Sequence, residues 1–497
     1  MKKYLLALAL SASLLSVPFS FAQAARAQVP TEITVSSPTS ELVDEANRLF
    51  SHGKKFHKAI AFYEEAARRE PKNAAYQTYV ACAKAGRAFA MARYVRDAYL
   101  FDSRKTAYTS SAKQWENAQK NKAHPLYGLS LPTAPTLPVW PDGDEEKPAT
   151  DTAIKVVIGE AAKSAFTDLQ KISETVSSQT YAASDKTELL TLQGWSALML
   201  YVGPYRFVDA PEKVKTLALM KATLKPTMDN PKDVRQTQRA ADAWVISCSY
   251  PVVVPDELFN KDDLVTLKEG IDLAIAAAPK ARNQGAMWYW IATNQASREH
   301  GEPQDKDAAL ESYKKAVKCD PANALYRYTL ASNLITRQKS IGSMTSDDTA
   351  AVEILEEIKN GNACASVGTA EYNIASPSLV RWAFTPYPFS EWYNTTMLSI
   401  FLQQLQWQKV KEGKTDAAVA LTRESERCGK NYLQAINSPA LSDAQKSSYL
   451  SAGRRLMVIT GDAVVLMKVG GQSVPQDLEY TMSFVPENHR RGLKINP

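Results

Sequence analysis

One spacing of residues recurs three times in this chain, and it constrains the local structure more than any other feature. In each copy, an apolar residue, a tyrosine or isoleucine, an alanine and a proline are separated by four, three and five positions. The copies are Ala59, Tyr63, Ala66 and Pro71; Ala309, Tyr313, Ala316 and Pro321; and Leu267, Ile271, Ala274 and Pro279. Residues at i, i+4 and i+7 share one face of an α-helix, so each copy predicts a helix that ends near its proline.

The two strongest copies continue to match beyond the proline. Residues 59–85 and 309–335 align without a gap, and eight of the 27 positions are identical. Asn73 and Asn323 follow the prolines by two residues, where a side-chain oxygen can accept from the free amides of the next helix. We therefore expect each unit to contain a helix, a turn, an N-cap and a second helix.

This pattern resembles the tetratricopeptide repeat, whose second helix carries alanine, an aromatic residue and a closing proline. The fullest copy begins at Trp288, continues through Ile291 and Ala292, and ends at Pro321. Its turn at residues 298–307 is longer than is usual in the family, and the aromatic residue late in its first helix is missing.

A fainter copy covers residues 407–427, with Gly413 at the position of a turn glycine. The resemblance implies an all-α fold, a tetratricopeptide-like solenoid of helix pairs with irregular proline-rich and aromatic-rich loops. Apolar residues at helical spacing predict further helices at 153–175, 188–201, 213–225, 236–248 and 350–359.

The N-terminal residues predict export. Lys2 and Lys3 precede an apolar run at residues 4–17, and Ala22-Gln23-Ala24 offers a signal peptidase site. A second cut after Ala27 has the same small-x-small form. No cysteine follows either site as a lipid anchor would require, so we expect a periplasmic or secreted protein without stable membrane insertion after signal cleavage.

These observations divide the chain into seven segments. They are a signal peptide (1–24), a flexible N-terminal segment (25–40), N-terminal tetratricopeptide-like helices (41–120), a proline-rich linker or loop (121–152), a helical region (153–255), tetratricopeptide repeats (256–340) and a C-terminal helical region (341–497) with an aromatic-rich loop (372–393).

The proline-rich segment contains six prolines and ends in the acidic run Asp142-Gly-Asp-Glu-Glu. Proline at this density favours extended backbone, so we expect either a linker or a loop laid across the helices. The acidic run lacks the ligand spacing of a calcium loop, and we expect its charges to be solvated.

The aromatic-rich loop supplies the candidate ligand-contact residues, which are Trp382, Tyr387, Trp392 and Tyr393. Exposed together, such rings could stack on a sugar or hold an extended peptide. Buried, they would join the loop to the helices beneath it. Both alternatives remain open from the sequence.

The chain carries no motif for a catalytic, cofactor-binding or metal site. The five histidines and five cysteines lack zinc-like spacing, and the glycine-rich and nucleophile motifs of common enzymes are missing. Without Lys2 and Lys3 the net charge falls from +6 to +4, with no basic cluster for nucleic acid. We expect no enzyme and no cofactor.

Two functional hypotheses follow. The first is an exported scaffold that binds a protein or peptide partner along its stacked helices. The alternative is a glycan- or small-ligand-binding protein of the cell envelope that uses the aromatic-rich loop. An envelope hydrolase with a helical scaffold is a third reading, and no motif supports it.

Overall fold

The computed structural model describes the chain from residue 33 to residue 490, with gaps. The described ranges are 33–34, 36–53, 55–120, 127, 134–143, 147–179, 183–204, 207, 210–229, 234–248, 267–296, 305–338, 341–342, 344–365, 367–368, 371–372, 376–384, 387–388, 391–438, 441, 443–487 and 490. The signal peptide predicted at residues 1–24 and the tripeptide Val252-Val253-Val254 lie outside these ranges.

Helices form nearly all of the regular structure in the described ranges, and this confirms the all-α prediction. They are α1 (Thr39–Ser51), α2 (Phe56–Arg69), α3 (Ala74–Ala118), α4 (Asp151–Ser178), α5 (Ala183–Val202), α6 (Ala210–Asp229), α7 (Val234–Cys248), α8 (Leu267–Ala277), α9 (Gln284–Ala296), α10 (Lys306–Cys319), α11 (Ala324–Thr336), α12 (Thr349–Asn362), α13 (Glu391–Lys411), α14 (Thr415–Ala435) and α15 (Asp443–Val469). Short 3-10 helices cover Ala278–Lys280, Ser378–Val380 and Gln476–Phe484. Two antiparallel strands of two residues each, β1 (Glu371–Tyr372) and β2 (Tyr387–Pro388), are the only strands in this part of the chain.

The helices predicted from apolar spacing are confirmed. The five predicted ranges lie within α4, α5, α6, α7 and α12. Gly413 has a φ of 69° between α13 and α14, so it occupies the left-handed conformation that a turn glycine tolerates. The segment expected to be flexible is tied down at its end, because Arg69 Nη1 donates to the Ser37 carbonyl at 2.7 Å.

The two strongest copies of the repeat have the same local structure. Helices α2 and α10 each contain 14 residues, and their first and last residues occupy equivalent positions in the aligned copies. Asn73 Oδ1 accepts from Ala75 N at 3.1 Å, and Asn323 Oδ1 accepts from Leu325 N at 3.1 Å. Both predicted N-caps are therefore confirmed, and α3 and α11 begin at equivalent residues.

The two repeat tyrosines also have similar surroundings. Tyr63 donates its hydroxyl hydrogen to Asn47 Oδ1 on the preceding helix at 2.7 Å. The Tyr313 hydroxyl lies 3.4 Å from Thr293 Oγ1, again on the preceding helix. Both rings are buried between two helices, which agrees with the small alanines on either side of them.

The third copy departs from this pattern at its turn. Pro279 lies inside the 3-10 helix that follows α8, and Asn283 caps α9 by accepting from Ala286 N at 3.1 Å. The cap therefore stands four residues after the proline instead of two. The longer turn accommodates the extra 3-10 residues.

Most consecutive helices pack against one another along the chain, with α12 and α13 the exception, and in the C-terminal part they form two rows. Ten of the 13 residues of α9 and of α11 are buried. By contrast, only four of the 14 residues of α10 and five of the 14 residues of α12 are buried. Helices α9 and α11 thus form an inner row, and α10 and α12 cover it from outside.

Two large apolar cores, beside two smaller clusters, lie among the described residues of these helices. The N-terminal core contains buried residues of α1 to α7, including Phe50, Tyr63 and Trp195. The C-terminal core contains Trp115 of α3 and buried residues of α7 to α15, including Tyr289 and Tyr328. Helix α7 contributes to both cores and joins them. None of the helices in the described ranges is both long enough and apolar enough to cross a lipid bilayer.

Candidate functional site

The aromatic-rich loop belongs to a connection between α12 and α13, residues 363–390, which we call the crossing segment. Its first part is held in the C-terminal core. Leu325 N donates to the Val367 carbonyl at 3.2 Å, and the Tyr449 hydroxyl donates to the Gly368 carbonyl at 3.2 Å. Val367 itself is fully buried there.

The crossing segment then reaches the N-terminal core. Its 3-10 helix, Ser378–Val380, packs against α1 and α5. Val380, Ala383 and Phe384 are buried in the N-terminal core, and the Phe384 ring meets the Trp195 ring edge-on at 4.7 Å. Since α13 returns to the C-terminal core, the crossing segment connects the two cores.

Trp382 lies among three phenylalanine rings of the N-terminal helices. The centroid of its ring is 5.9 Å from Phe50, 5.2 Å from Phe56 and 5.8 Å from Phe89. Each aromatic pair at such a separation stabilises the fold by about 0.5–1.5 kcal/mol more than burial of its apolar surface alone. We call these three rings, with the tryptophan between them, the aromatic cage.

Two glycines provide the space for the tryptophan ring. A Cβ atom on Gly53 would lie 2.9 Å from Trp382 Cε3, and one on Gly86 would lie 2.4 Å from Phe50 Cε2 and 3.2 Å from Trp382 Cζ2. Gly53 also has a φ of 65°, which favours glycine at the end of α1. Any other residue at either position would displace a ring of the cage.

The rings of the aromatic-rich loop could be exposed to a ligand or packed against the helices, and the ring of Trp382 is packed against the helices. Its ring is half-buried and packs inward, with rings of α1, α2 and α3 around it. These ring contacts attach the crossing segment to the N-terminal helices. This placement leaves little of the ring to stack on a ligand.

The other three candidate contact residues lie further along the crossing segment and at the start of α13. Tyr387 pairs with Tyr372 in the short antiparallel ladder of β1 and β2. Trp392 and Tyr393 are in the first turn of α13. The side chains of these three candidates lie outside the described part of the structure.

The contact between the crossing segment and the N-terminal core is mainly apolar. Trp195 Nε1, Trp382 Nε1 and Ser376 Oγ are buried and find no hydrogen-bond partner among the described residues. An unsatisfied buried polar group costs about 1–3 kcal/mol. Packing of the aromatic rings must offset this cost, because the two indole N–H groups form no hydrogen bond among the described residues that would stabilise the contact.

The described part of the proline-rich segment lies across the N-terminal helices. The Trp140 ring is buried and meets the Tyr94 ring edge-on at 5.2 Å. Lys55 N donates to the Pro141 carbonyl at 3.2 Å. These contacts anchor residues 140–142 beside α2 and α3, as expected for a loop laid across the helices.

Asp142 corrects the expectation that the acidic run is solvated. Its side chain is completely buried, and it accepts from His57 N at 3.0 Å and from Arg87 Nε at 2.6 Å. His57 Nδ1 lies 3.1 Å from the same carboxylate. Burial by itself would raise the pKa of Asp142, but the hydrogen bonds from His57 and Arg87 outweigh it and lower that pKa.

Two buried thiols, those of Cys82 and Cys428, are poor nucleophiles. Burial raises the pKa of the Cys82 thiol to about 12, and burial also raises the pKa of Cys428. These raised pKa values keep both thiols protonated near neutral pH. Because the thiolate is the reactive form of cysteine, neither side chain is a good nucleophile. Among the residues the structure describes, no three histidine, cysteine, aspartate or glutamate side chains are grouped as metal ligands.

Sequence reasoning singled out Trp382 but missed the residues that hold it. Phe50 and Phe56 flank the turn at Gly53, and Phe89 follows Gly86 by three residues on α3. The sequence feature that could have indicated these residues is the presence of aromatic residues near a glycine in two neighbouring segments. Nothing in their spacing relates them to residue 382, because the contact depends on the path of the crossing segment.

Comparison with known proteins adds no relative to these observations. No protein-family model matches the chain, and no curated protein is significantly similar to it in sequence.

Proposed function

We propose that the protein is an exported tetratricopeptide-like scaffold that binds a protein or peptide partner. The observation that supports this most is the repeated unit, built twice with equivalent helix bounds and N-caps at Asn73 and Asn323. Stacked helix pairs of this kind create extended surfaces suited to polypeptide ligands. The leader at residues 1–24 would direct the scaffold to the periplasm or outside the cell.

The placement of Trp382 favours this proposal over the glycan hypothesis. Stacking on a sugar requires an aromatic face open to solvent. The ring of Trp382 packs against Phe50, Phe56 and Phe89 instead. The glycan alternative then depends on Tyr387, Trp392 and Tyr393 alone.

The test is capture of a partner followed by reconstitution. The full chain, expressed with its leader in its own host, would be crosslinked to its neighbours in the cell envelope and identified with them by mass spectrometry. The purified chain and each recovered protein would then be titrated by calorimetry. We expect one recovered protein to bind the purified chain at a defined stoichiometry.

A glycan array run with the same purified chain distinguishes the two hypotheses. Sugar binding that is abolished by Trp392→Ala, without any protein that binds on reconstitution, would replace the scaffold proposal by the glycan alternative. Partner binding that is unchanged by Trp392→Ala would support the scaffold.

A further inference from the structure

From its middle to its end, α3 carries four aromatic residues at intervals of seven: Tyr94, Phe101, Tyr108 and Trp115. Seven residues are close to two helical turns, so these side chains lie along one side of the helix. At 1.5 Å per residue, they form a stripe about 32 Å long. We call this set the aromatic stripe.

In the described part of the structure, the two ends of the aromatic stripe contact other segments of the chain, whereas its centre is partly exposed. Tyr94 packs against Trp140, and Trp115 is buried in the C-terminal core. Phe101 and Tyr108 are only half-buried, and none of the described side chains in residues 96–113 is buried. Contacts among the described residues therefore account for the ends of the stripe, while its centre keeps part of its aromatic surface open to solvent.

The spacing of the stripe suits a second helix. Ala98 and Ala112 follow Tyr94 and Tyr108 by four residues, and Lys105 occupies the same place after Phe101, with its Nζ 5.9 Å from the centroid of the Phe101 ring. Large apolar side chains of a neighbouring helix can enter the spaces above the alanines, as knobs enter holes in coiled coils.

The charge around the stripe selects the kind of helix. Residues 93–113 contain five basic and two acidic side chains. One of the acids, Asp97, is shared by three arginines at 3.5–3.7 Å; they are Arg93, Arg96 and Arg104. This exposed surface therefore carries an excess of positive charge, which attracts acidic side chains and repels basic ones.

We propose that the aromatic stripe of α3 binds an acidic amphipathic helix of a partner protein. This inference rests on the proposed scaffold function and names the surface and the chemistry of its partner. A second copy of the chain would bring the same positive surface to the same stripe, and like charges oppose that arrangement.

The probe is a synthetic peptide of four heptads, with leucine at the two seam positions and glutamate at the flanking positions. Its binding to the purified full chain is measured by fluorescence anisotropy. We expect micromolar affinity that weakens as salt is added, since exposed charges are screened. The matched peptide with lysine in place of glutamate should bind at least about tenfold more weakly.

The variants locate the binding surface. Phe101→Ala combined with Tyr108→Ala should weaken binding of the acidic peptide by at least about tenfold, because the centre of the stripe is lost. Tyr99→Ala is the matched control, since Tyr99 is 85% exposed on the opposite side of α3. Circular dichroism melting should confirm that both variants remain folded.

Three results would overturn the inference. They are failure of the acidic peptide to bind, equal binding to the Phe101→Ala/Tyr108→Ala variant, and self-association of the wild-type chain that this variant abolishes. If a reconstituted envelope partner binds the variant as tightly as the wild type, the stripe proposal fails and the scaffold function stands.

Discussion

Helices α2 and α10 occupy equivalent places in the two copies of the repeat, but they begin in different ways. At the start of α10, Asp305 accepts from Ala308 N at 2.8 Å, which is an N-cap within four residues. The residue before α2 is Lys55, which has no acceptor in its side chain and adopts a left-handed φ of 53°. Asp142, 85 residues further along the chain than His57, accepts from His57 N instead.

The difference shows that equivalent helices can begin in two ways, with an N-cap from a neighbouring residue or with one that tertiary structure supplies. In the C-terminal copy, the cap is part of the repeat itself. In the N-terminal copy, the cap arrives with the proline-rich segment, so docking of that segment and the start of α2 depend on each other.

The inner helices of the two copies differ as well. Helix α11 has 13 residues and ends at Thr336, whereas α3 has 45 residues and continues to Ala118. Directly after the aligned residues, Gly86 of α3 corresponds to Thr336, and the ring of Trp382 lies close to the backbone there. The N-terminal copy thus provides a docking place for the crossing segment.

Among the variants that test this comparison, Trp382→Ala is expected to have the largest effect on the free energy of unfolding. Loss of a half-buried ring that contacts three phenylalanines should lower the free energy of unfolding by about 2–4 kcal/mol. Hydrogen exchange should show faster opening of α1 to α3 and little change in α10. Trp382→Phe is the control, and it should cost about 1 kcal/mol or less because the indole N–H has no partner among the described residues. Equal protection in wild type and Trp382→Ala would contradict the proposed packing role.

Gly86→Ala should cost about 1–3 kcal/mol, because the new Cβ would lie 2.4 Å from Phe50 Cε2. Gly342→Ala is the matched control, since a Cβ there meets no atom within 4 Å. The control should change the free energy of unfolding by less than about 0.5 kcal/mol. Urea unfolding of both variants measures the difference, and similar costs at the two sites would show that the cage does not require glycine.

Asp142→Asn should cost about 1–2 kcal/mol and release residues 134–143, because Arg87 loses a buried carboxylate partner. The pKa of Asp142 is lowered in the folded state, so its contribution is complete above the ordinary value of 3.8 and is lost as pH falls through the folded pKa. Tryptophan fluorescence during acid titration should show a transition below about pH 4 that is absent in the variant.

Asp305→Ala is the comparison for that variant, because it removes the local cap of α10. It should cost about 1 kcal/mol without affecting the proline-rich segment. Release of residues 134–143 by both variants, measured by hydrogen exchange, would refute the distinction between a local and a distant cap.

The effects expected at the two confirmed caps are of the size usual for helix N-caps. Asn73→Ala should cost about 1 kcal/mol, and Asn323→Ala up to about 2 kcal/mol, because Asn323 is buried beneath Gly368. Thermal unfolding of both variants measures this order. A larger cost at Asn73 would mean that burial does not strengthen the C-terminal cap.

Much of the helical structure could be predicted from the sequence, but the candidate site could be predicted only in part. The prolines and Asn73 and Asn323 marked where helices end and begin, because those interactions join residues a few positions apart. The aromatic-rich loop stands out in the sequence by its composition. Its contact with Phe50 and Phe89 was not predictable, since no periodicity relates distant segments.

The sequence by itself determined the helical class, the repeat and the asparagine caps, because each depends on hydrogen bonds and side chains within about one or two helical turns. Only the tertiary structure decided that Asp142 would cap α2 and that Trp382 would fill the space beside Gly53 and Gly86. Those contacts join residues far apart in the chain. They form only when packing of the helices brings the proline-rich segment and the crossing segment against the N-terminal core.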